Sequence, residues 1–302
     1  MPFKPTGKVG FITCVMLVIV YIISQSNNST YVLQPLGDAA KRLHLMSQAS
    51  QSQSDASKNV RVIIWVMTAP KNHEKKARFV QKSWAKRADK VLFISDVTNS
   101  SFPTIGCNCT AGYRYLMEKT VSAFRYLYNH YLNDYDWFMK VDDDTYVVYE
   151  NLKNFLSTKN TSEPIHYGKL FNYDVKQGYY SGGGGYILSK EALTRLVTRG
   201  NDSKVCKQRT IYEDLEIGRC MEKLGVRTEN SVDSKGRTLF HCFSHKLHLY
   251  GPMPKWWPKR DSNHGHIGRG NISNSAITFH NIIGREMETL DFFIYHIKPF
   301  GK

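Results

Sequence analysis

Acidic residues are scarce: 26 Asp and Glu stand against 41 Lys and Arg in 302 residues, a formal net charge of +15. Such an excess suits an anionic partner, whether nucleic acid, an anionic membrane face or a small phosphate-bearing substrate. No RNA- or DNA-binding signature accompanies it, and the basic residues are spread along the chain, so nucleic acid is not an expected partner. Nor is there a P-loop or the glycine spacing of a dinucleotide fold, which disfavours ATP and NAD. No internal repeat is visible, and 41% hydrophobic with 22% charged residues is an ordinary globular composition. These features exclude a wholly disordered, collagen-like or multi-span membrane chain, and the length allows one large domain or two small ones. Aromatics are plentiful at 13%, enough for a core and for a surface that stacks on rings.

The one long apolar run is VGFITCVMLVIVYII, Val9–Ile23. Lys4 and Lys8 precede it and no basic residue follows until Lys41, which puts residues 1–8 in the cytosol and the rest in the lumen. The run is shorter than the ~20 residues that cross a typical bilayer, even when extended to Ser24, and so suits the thinner membranes of the early secretory pathway. A cleaved signal peptide needs small residues at its exit, and only Ser24-Gln25-Ser26 resembles such a site. The expectation is an uncleaved signal anchor over residues 9–24, in a single-pass type II protein of the Golgi or early secretory membrane. Sequons at Asn27, Asn28, Asn99, Asn108, Asn160, Asn201 and Asn271 agree with a lumenal fate. Cys14 lies in the span, which leaves Cys107, Cys109, Cys206, Cys220 and Cys242 in an oxidising compartment. Five is odd, so one is free or pairs between chains. Cys206 and Cys220 bracket an acidic segment and are the expected bridge.

Residues 25–58 are rich in Ser, Gln and Asn, with Tyr31 the only aromatic, too little apolar surface to fold alone. They read as a stem, with a short helix over Asp38–Met46 able to bring two stems together as a homodimer. From Asn59 the pattern changes, and residues 59–302 read as one lumenal domain. Val60–Thr68 is a β-branched run typical of a buried strand. His73–Arg87 places Ala77, Val80 and Trp84 at helical spacing, and Val91–Ser95 is a second strand. Gly112–Tyr131 predicts a helix with Leu116, Thr120, Ala123, Phe124 and Leu127 on one face, and Trp137–Val141 a third strand. This alternation predicts a doubly wound, Rossmann-like α/β sheet, with ligands gathered at the carboxyl ends of its strands.

Asp142-Asp143-Asp144 stands at such an end, close to Lys140. Carboxylates there can hold a hard divalent cation and bridge it to a diphosphate, where it neutralises charge on a phosphate leaving group. His280, in the short β-like run Thr278-Phe279-His280, offers a second ligand type. Glu213-Asp214, between Cys206 and Cys220, is the expected position of a general base that takes the proton of an attacking hydroxyl. The alternative for this pair is a solvated acidic start to a helix over Asp214–Leu224. YYSGGGGY, Tyr179–Tyr186, leaves backbone amides open to a ligand and lets the chain turn tightly; a helix follows from Ser189 to about Val197. His241-Cys242-x-x-His245-x-x-His248 has spacing that zinc tolerates, but no second CxxC or HxxxH supports it.

With these residues in hand, the chain resembles the fringe-like β1,3-glycosyltransferases over nearly all of residues 59–302, and within them the core 1 group. The resemblance rests on WVMT (Trp65–Thr68), HEKKARFVQKSWAKR (His73–Arg87), WFMKVDDDTYVV (Trp137–Val148) and KQGYYSGGGGYILSKEAL (Lys176–Leu193). It continues in YEDLEIGRCME (Tyr212–Glu222), Phe240-His241 and Thr278–His280. It implies a GT-A fold, UDP-galactose as donor, Mn²⁺ as cofactor, inversion at the anomeric carbon and a glycoprotein acceptor bearing Ser/Thr-linked N-acetylgalactosamine (GalNAc). On that resemblance Asp142, Asp144 and His280 are metal ligands and Asp214 is the base. Met67, Gly112, Tyr113, Lys119 and Asp142 fall around the nucleotide, and Gly183, Glu213, Trp256 and Trp257 around the acceptor.

The chain departs from the family pattern in two places. Ala111-Gly112-Tyr113 stands where an acidic residue, Gly and Arg are common, which removes a charged contact to the nucleotide. Pro258–Asn274 lacks the Tyr-rich run and paired cysteines usual after the Trp cluster, which leaves open a divergent paralogue with another acceptor sugar. A non-catalytic folding partner of the same fold, or a lectin-like module, would have no need of Asp142–Asp144, Asp214 and His280 together.

Overall fold

The computed structural model describes residues 39, 41–46, 48, 59–207 and 210–298. The expected anchor at 9–24 and most of the expected stem lie outside the described residues. The chain divides into two units, ending and starting at Asp55 and Ala56. In the first, residues 41–46 are helical and exposed, within the span expected for the stem helix. Among the described residues no helix is long and apolar enough to cross a membrane.

The second unit is α/β. Its strands are β1 (Val62–Met67), β2 (Lys90–Ser95), β3 (Ile105–Gly106), β4 (Trp137–Asp142), β5 (Tyr146–Val147), β6 (Ile165–Gly168), β7 (Leu170–Phe171), β8 (Tyr179–Tyr180), β9 (Tyr186–Ser189), β10 (Arg227–Thr228), β11 (Phe240–His241) and β12 (Thr278–Phe279). Its helices are α1 (Arg78–Lys82), α2 (Leu116–Tyr131), α3 (Tyr149–Leu156), α4 (Lys190–Arg199), α5 (Glu213–Lys223), α6 (His245–Tyr250), α7 (Trp257–Arg260) and α8 (Arg285–Tyr295). The main sheet runs β10-β6-β9-β4-β1-β2-β3. β1 is parallel to both β2 and β4, so the direction of winding reverses there. The sheet is mixed, not wholly parallel. The glycine turn after β8, closed by Gly185 N–H on Gly182 O, sends β9 back antiparallel to β4 and β6.

β1 is buried along its whole length because both faces are covered. Period-two alternation sends Val62, Ile64 and Val66 into one core and Ile63, Trp65 and Met67 into the other. Each such Val or Ile contributes about 1.5–3 kcal/mol by leaving water. α2 covers the second face, with Phe124 edge-on to Trp65 at 5.5 Å. It starts at Leu116, later than the sequence pattern suggests, because Gly112 has φ 116° and a 3₁₀ turn over Tyr113–Tyr115 intervenes. Leu116 is only half-buried, and Met117 and Val121 fill the face as well.

The helix expected over His73–Arg87 is a broken series: a π turn at His73–Ala77, α1, and a 3₁₀ turn at Trp84–Lys86. The break falls at Ser83 (φ −105°, ψ −116°), whose hydroxyl donates to Phe79 O at 2.7 Å. α4 opens as expected, with the Ser189 hydroxyl accepting from Ala192 N–H. A second, small sheet orders β11-β12-β5. Its antiparallel register pairs Phe279 with Tyr146, so that the next residue, His280, arrives beside the turn that precedes β5.

Candidate active site

The carboxyl ends of β1 and β4 lie side by side, Met67 paired with Asp142, at the reversal point where open sheets leave a crevice. A tight turn ends β4: Thr145 N–H donates to Asp142 O at 3.1 Å, and the Thr145 hydroxyl donates to Gly183 O at 2.9 Å. The turn gives the three aspartates three environments. Asp142 accepts from Lys140 Nζ at 2.6 Å. Asp143 points inward, accepting from Thr68 Oγ1 at 2.8 Å and Asn72 Nδ2 at 2.9 Å. Asp144 accepts from Lys76 Nζ at 2.7 Å and lies 3.1 Å from His280 Nε2.

His280 Nε2 is also 3.8 Å from Asp142, and one ligand atom each from Asp142, Asp144 and His280 lie within 4.8 Å of one another. The imidazole is aimed there by its other nitrogen, Nδ1, which donates to Cys242 O at 3.0 Å. Gly183 leaves the ring its space, since a Cβ at that position would overlap it. Burial alone would raise Asp144, but His280 and Lys76 outweigh it and hold the carboxyl well below the usual range. Burial would lower His280, and Asp144 and Asp142 raise it instead. Asp143 is pushed up to about 6, by burial and then by its acidic neighbours. Two carboxylates and an imidazole nitrogen, with that imidazole fixed through a carbonyl behind it, suit a divalent metal ion.

The second acidic pair opens α5. Asp214 accepts from Gly182 N–H at 3.2 Å and stays at the cleft, next to the glycine run. Lys140 joins the two groups: its buried ammonium sits 2.6 Å from Asp142 and 3.9 Å from Glu213, and donates to Gly182 O at 3.1 Å. Burial would pull it down, yet Asp142, Glu213 and Asp214 raise it above its ordinary value. Around these residues the cleft has two halves, of about 610 and 400 Å³, which share Met67, Tyr113, Asp142 and His280. Thr68, Lys76, Asp96, Gly112 and Lys119 line the first; Tyr179, Gly183, Asp214, Phe243, Trp256 and Arg260 line the second.

Residues 57–252 match the Fringe-like family. A Xenopus laevis protein named glycoprotein-N-acetylgalactosamine 3-beta-galactosyltransferase 1 is 40% identical over 281 residues, spanning 92% of this chain and 77% of its own. The chain belongs to the Fringe-like family. A mouse beta-1,3-glucosyltransferase is 30% identical over 177 residues, 58% of this chain but 36% of its own length. A solved glycosyltransferase involved in glycosylation of the PBCV-1 major capsid covers 78% of this chain at 12% identity and a TM-score of 0.39, which adds nothing to the assignment.

Within the Fringe-like domain, Met67, Gly112 and Tyr113 line the larger half of the cleft, and Tyr113 is exposed. Lys119 lies at its wall but is buried; its ammonium pairs with Asp96 at 2.5 Å and donates to Thr68 O. One acceptor-side expectation, Trp257, needs correction. Trp257 has no exposed surface and packs against Phe171 and Phe243, so only Trp256, 39% exposed, faces the cleft. Glu213 is turned inward, its Oε1 accepting from Thr120 Oγ1 at 2.8 Å and Tyr186 OH at 2.7 Å; it shapes the floor of the cleft.

Cys206 is bonded to Cys220 and Cys107 to Cys109, while Cys242 is a buried free thiol. The histidine-rich stretch does not gather around a zinc site, since both His241 ring nitrogens are engaged, by Thr238 Oγ1 and Thr278 O. Asn108, Asn160 and Asn201 are exposed, but Asn271 is buried and its amide donates to His266 O, which leaves no room for a glycan. Sequence reasoning passed over Asp96, Lys76 and Arg260, and read Tyr179 only as the start of the glycine run. Asp96 directly follows β2, and the strand-end argument that singled out Asp142 applies to it equally. Lys76 and Arg260 were not singled out by any chemical pattern around them.

Proposed function

We propose that this chain is an inverting β1,3-galactosyltransferase that moves galactose from UDP-galactose to the 3-hydroxyl of Ser/Thr-linked GalNAc. The observation that carries the reading is one cleft holding the Asp142–Asp144–His280 group and the Asp214 carboxylate, joined by Lys140. The 40% identity to a GalNAc 3-beta-galactosyltransferase favours this sugar pair. The domain adopts a GT-A arrangement on this reading, with the nucleotide in the half lined by Asp96, Gly112 and Tyr113.

Asp142, Asp144 and His280 would hold Mn²⁺. When bound, the ion supplies electrostatic stabilisation to the charge that develops on the diphosphate as its bond to galactose breaks. Asp214, oriented by Gly182 N–H, accepts the proton of the attacking hydroxyl. The oxygen of GalNAc bonds to the anomeric carbon as the UDP oxygen leaves from the opposite side, which inverts the centre in one displacement. No carboxylate nucleophile is needed, and Glu213 is already engaged by Thr120 and Tyr186. Lys140 keeps the neighbouring carboxylates from repelling one another. On the same reading residues 9–24 anchor the protein in the Golgi membrane with the enzyme in the lumen.

The test is transfer by purified residues 59–302, with a panel of UDP-sugars and glycopeptides. The expected product is galactose β1,3-linked to GalNAc, dependent on Mn²⁺. Transfer of another sugar, or to another acceptor only, would replace the assignment within the family.

A further inference from the structure

We propose that the acceptor presents a carboxylate beside its glycosylated Ser or Thr, from a flanking Asp or Glu, and that Arg260 recognises it. The proposal rests on the galactosyl-transfer reading and narrows its acceptor class.

Arg260 closes α7 and borders the same half of the cleft as Asp214. Its guanidinium carbon stands 4.1 Å from the ring centre of Tyr173 and 5.5 Å from that of Trp256. A guanidinium laid over aromatic faces is fixed in orientation, and its N–H groups beyond the one turned to Tyr179 can meet a carboxylate. Among the described residues Arg260 makes no ion pair, unlike Arg219, which pairs with Asp174 at 2.7 Å, or Arg87, which pairs with Asp291 at 2.6 Å.

Its sequence neighbour does not neutralise it. Asp261 is buried and pairs with Lys169 at 2.5 Å, next to the Trp257 ring. Lys255 and Lys259, both exposed, flank the same short helix. Both Arg260 and Asp214 act on the Tyr179 phenol: burial and then Asp214 push it up to about 12, while the charge of Arg260 and a hydrogen bond with it pull it down. The half of the cleft that holds the expected base therefore carries a stacked cation with no acidic partner among the described residues, and a neutral peptide would leave that charge unpaired.

Three GalNAc-peptides that differ only in the residue beside the glycosylated Thr, as Asp, Asn or Lys, test this with the whole lumenal unit, UDP-galactose and Mn²⁺. The wild type is expected to prefer Asp over Asn by about five- to tenfold in kcat/KM, mostly through KM, with Lys poorest. Arg260→Gln should level the three peptides and leave the KM for UDP-galactose unchanged. Arg260→Lys should restore part of the preference, since a point charge lacks the fork. Equal kcat/KM for all three peptides in the wild type would overturn the proposal while leaving galactosyl transfer intact. A raised KM for UDP-galactose in Arg260→Gln, with the peptide preference retained, would overturn it by assigning the cation to the diphosphate. No transfer to any of the peptides would overturn the galactosyltransferase reading, and this inference with it.

Discussion

The two halves of the cleft are built differently. In the half lined by Asp96 and Lys119, carboxylates arrive on the ends of β2 and β4 and meet lysines: Asp96 with Lys119, Asp144 with Lys76, and Asp142, which borders both halves, with Lys140. The half around Trp256 adds rings, Phe171, Tyr179 and Phe243, carried on two-residue strands, a loop and a one-turn helix, to the charged groups Asp214 and Arg260. The first holds its charges against a rigid sheet, where electrostatic effects are strongest and reorganisation is least. The second can change its lining without disturbing that sheet. On the proposed reading the nucleotide lies in the first half and the acceptor in the second, with Asp142 and His280 bordering both and Asp214 on the acceptor's side, so substitutions in each half should report on different kinetic constants.

The largest effect is expected at Asp144. Asp144→Asn removes one proposed metal-ligating carboxylate and the partner of both Lys76 and His280. Mn²⁺-dependent turnover should fall by at least about 10³-fold, and UDP–Mn²⁺ binding measured by calorimetry should weaken with it. Chelation of the wild type should have the same consequence, reversed by added Mn²⁺. Wild-type activity in Asp144→Asn at saturating Mn²⁺ would remove the metal assignment.

Asp214→Asn should divide the halves cleanly. The amide cannot take up the hydroxyl proton, so transfer should drop by about 10²–10³-fold while UDP–Mn²⁺ affinity stays the same. Asp214 lies in the first turn of α5, after the N-cap Tyr212, so loss of its charge should cost the helix no more than about 1 kcal/mol and change the melting temperature little. Retained transfer would leave Asp214 as a structural acid at the helix start.

The same contrast explains what could be read from the sequence. Asp142 follows a strand whose apolar residues announce it, and the strand-end rule finds it without a structure. His280 is aimed only by the pairing of β12 with β5 and by Cys242 O, contacts between segments far apart in sequence. Its residue type pointed to a ligand, while its direction was not legible. Trp256 and Trp257 are adjacent and alike, and nothing in their spacing says which one a short helix will bury. The mixed direction of β9 was hidden for a similar reason: the glycine run allows a reversal but does not demand it.

That ambiguity between the tryptophans gives the next prediction. Trp257→Ala empties a fully buried site and should cost about 3–5 kcal/mol of stability, read by denaturant unfolding. Trp256→Ala removes a half-exposed ring and should leave stability nearly unchanged. It should raise the glycopeptide KM about tenfold, equivalent to ~1.4 kcal/mol, with the KM for UDP-galactose unaltered. A reversal of these two outcomes would mean that the helix presents the other ring in solution.

The smallest effects are expected from the two disulfides, one beside each half. Cys206–Cys220 spans 14 residues and ties the segment before α5 to the helix that carries Asp214. The chain-entropy estimate for such a loop is about 3 kcal/mol, so the Cys206→Ser/Cys220→Ser variant should melt earlier and lose kcat through a looser base. Cys107–Cys109 closes a much shorter loop, for which the same estimate is only about 1.5 kcal/mol. It lies just before Gly112 and Tyr113, and Cys107 N–H is held by Ser95 O at 2.9 Å at the end of β2. Releasing it with Cys107→Ser/Cys109→Ser should let that loop move while the strand ends stay in place. The expected result is a few-fold rise in the KM for UDP-galactose, with kcat and the glycopeptide KM close to wild type. If the glycopeptide KM rises instead, the loop serves both halves and the separation between them fails at Tyr113, whose ring borders each.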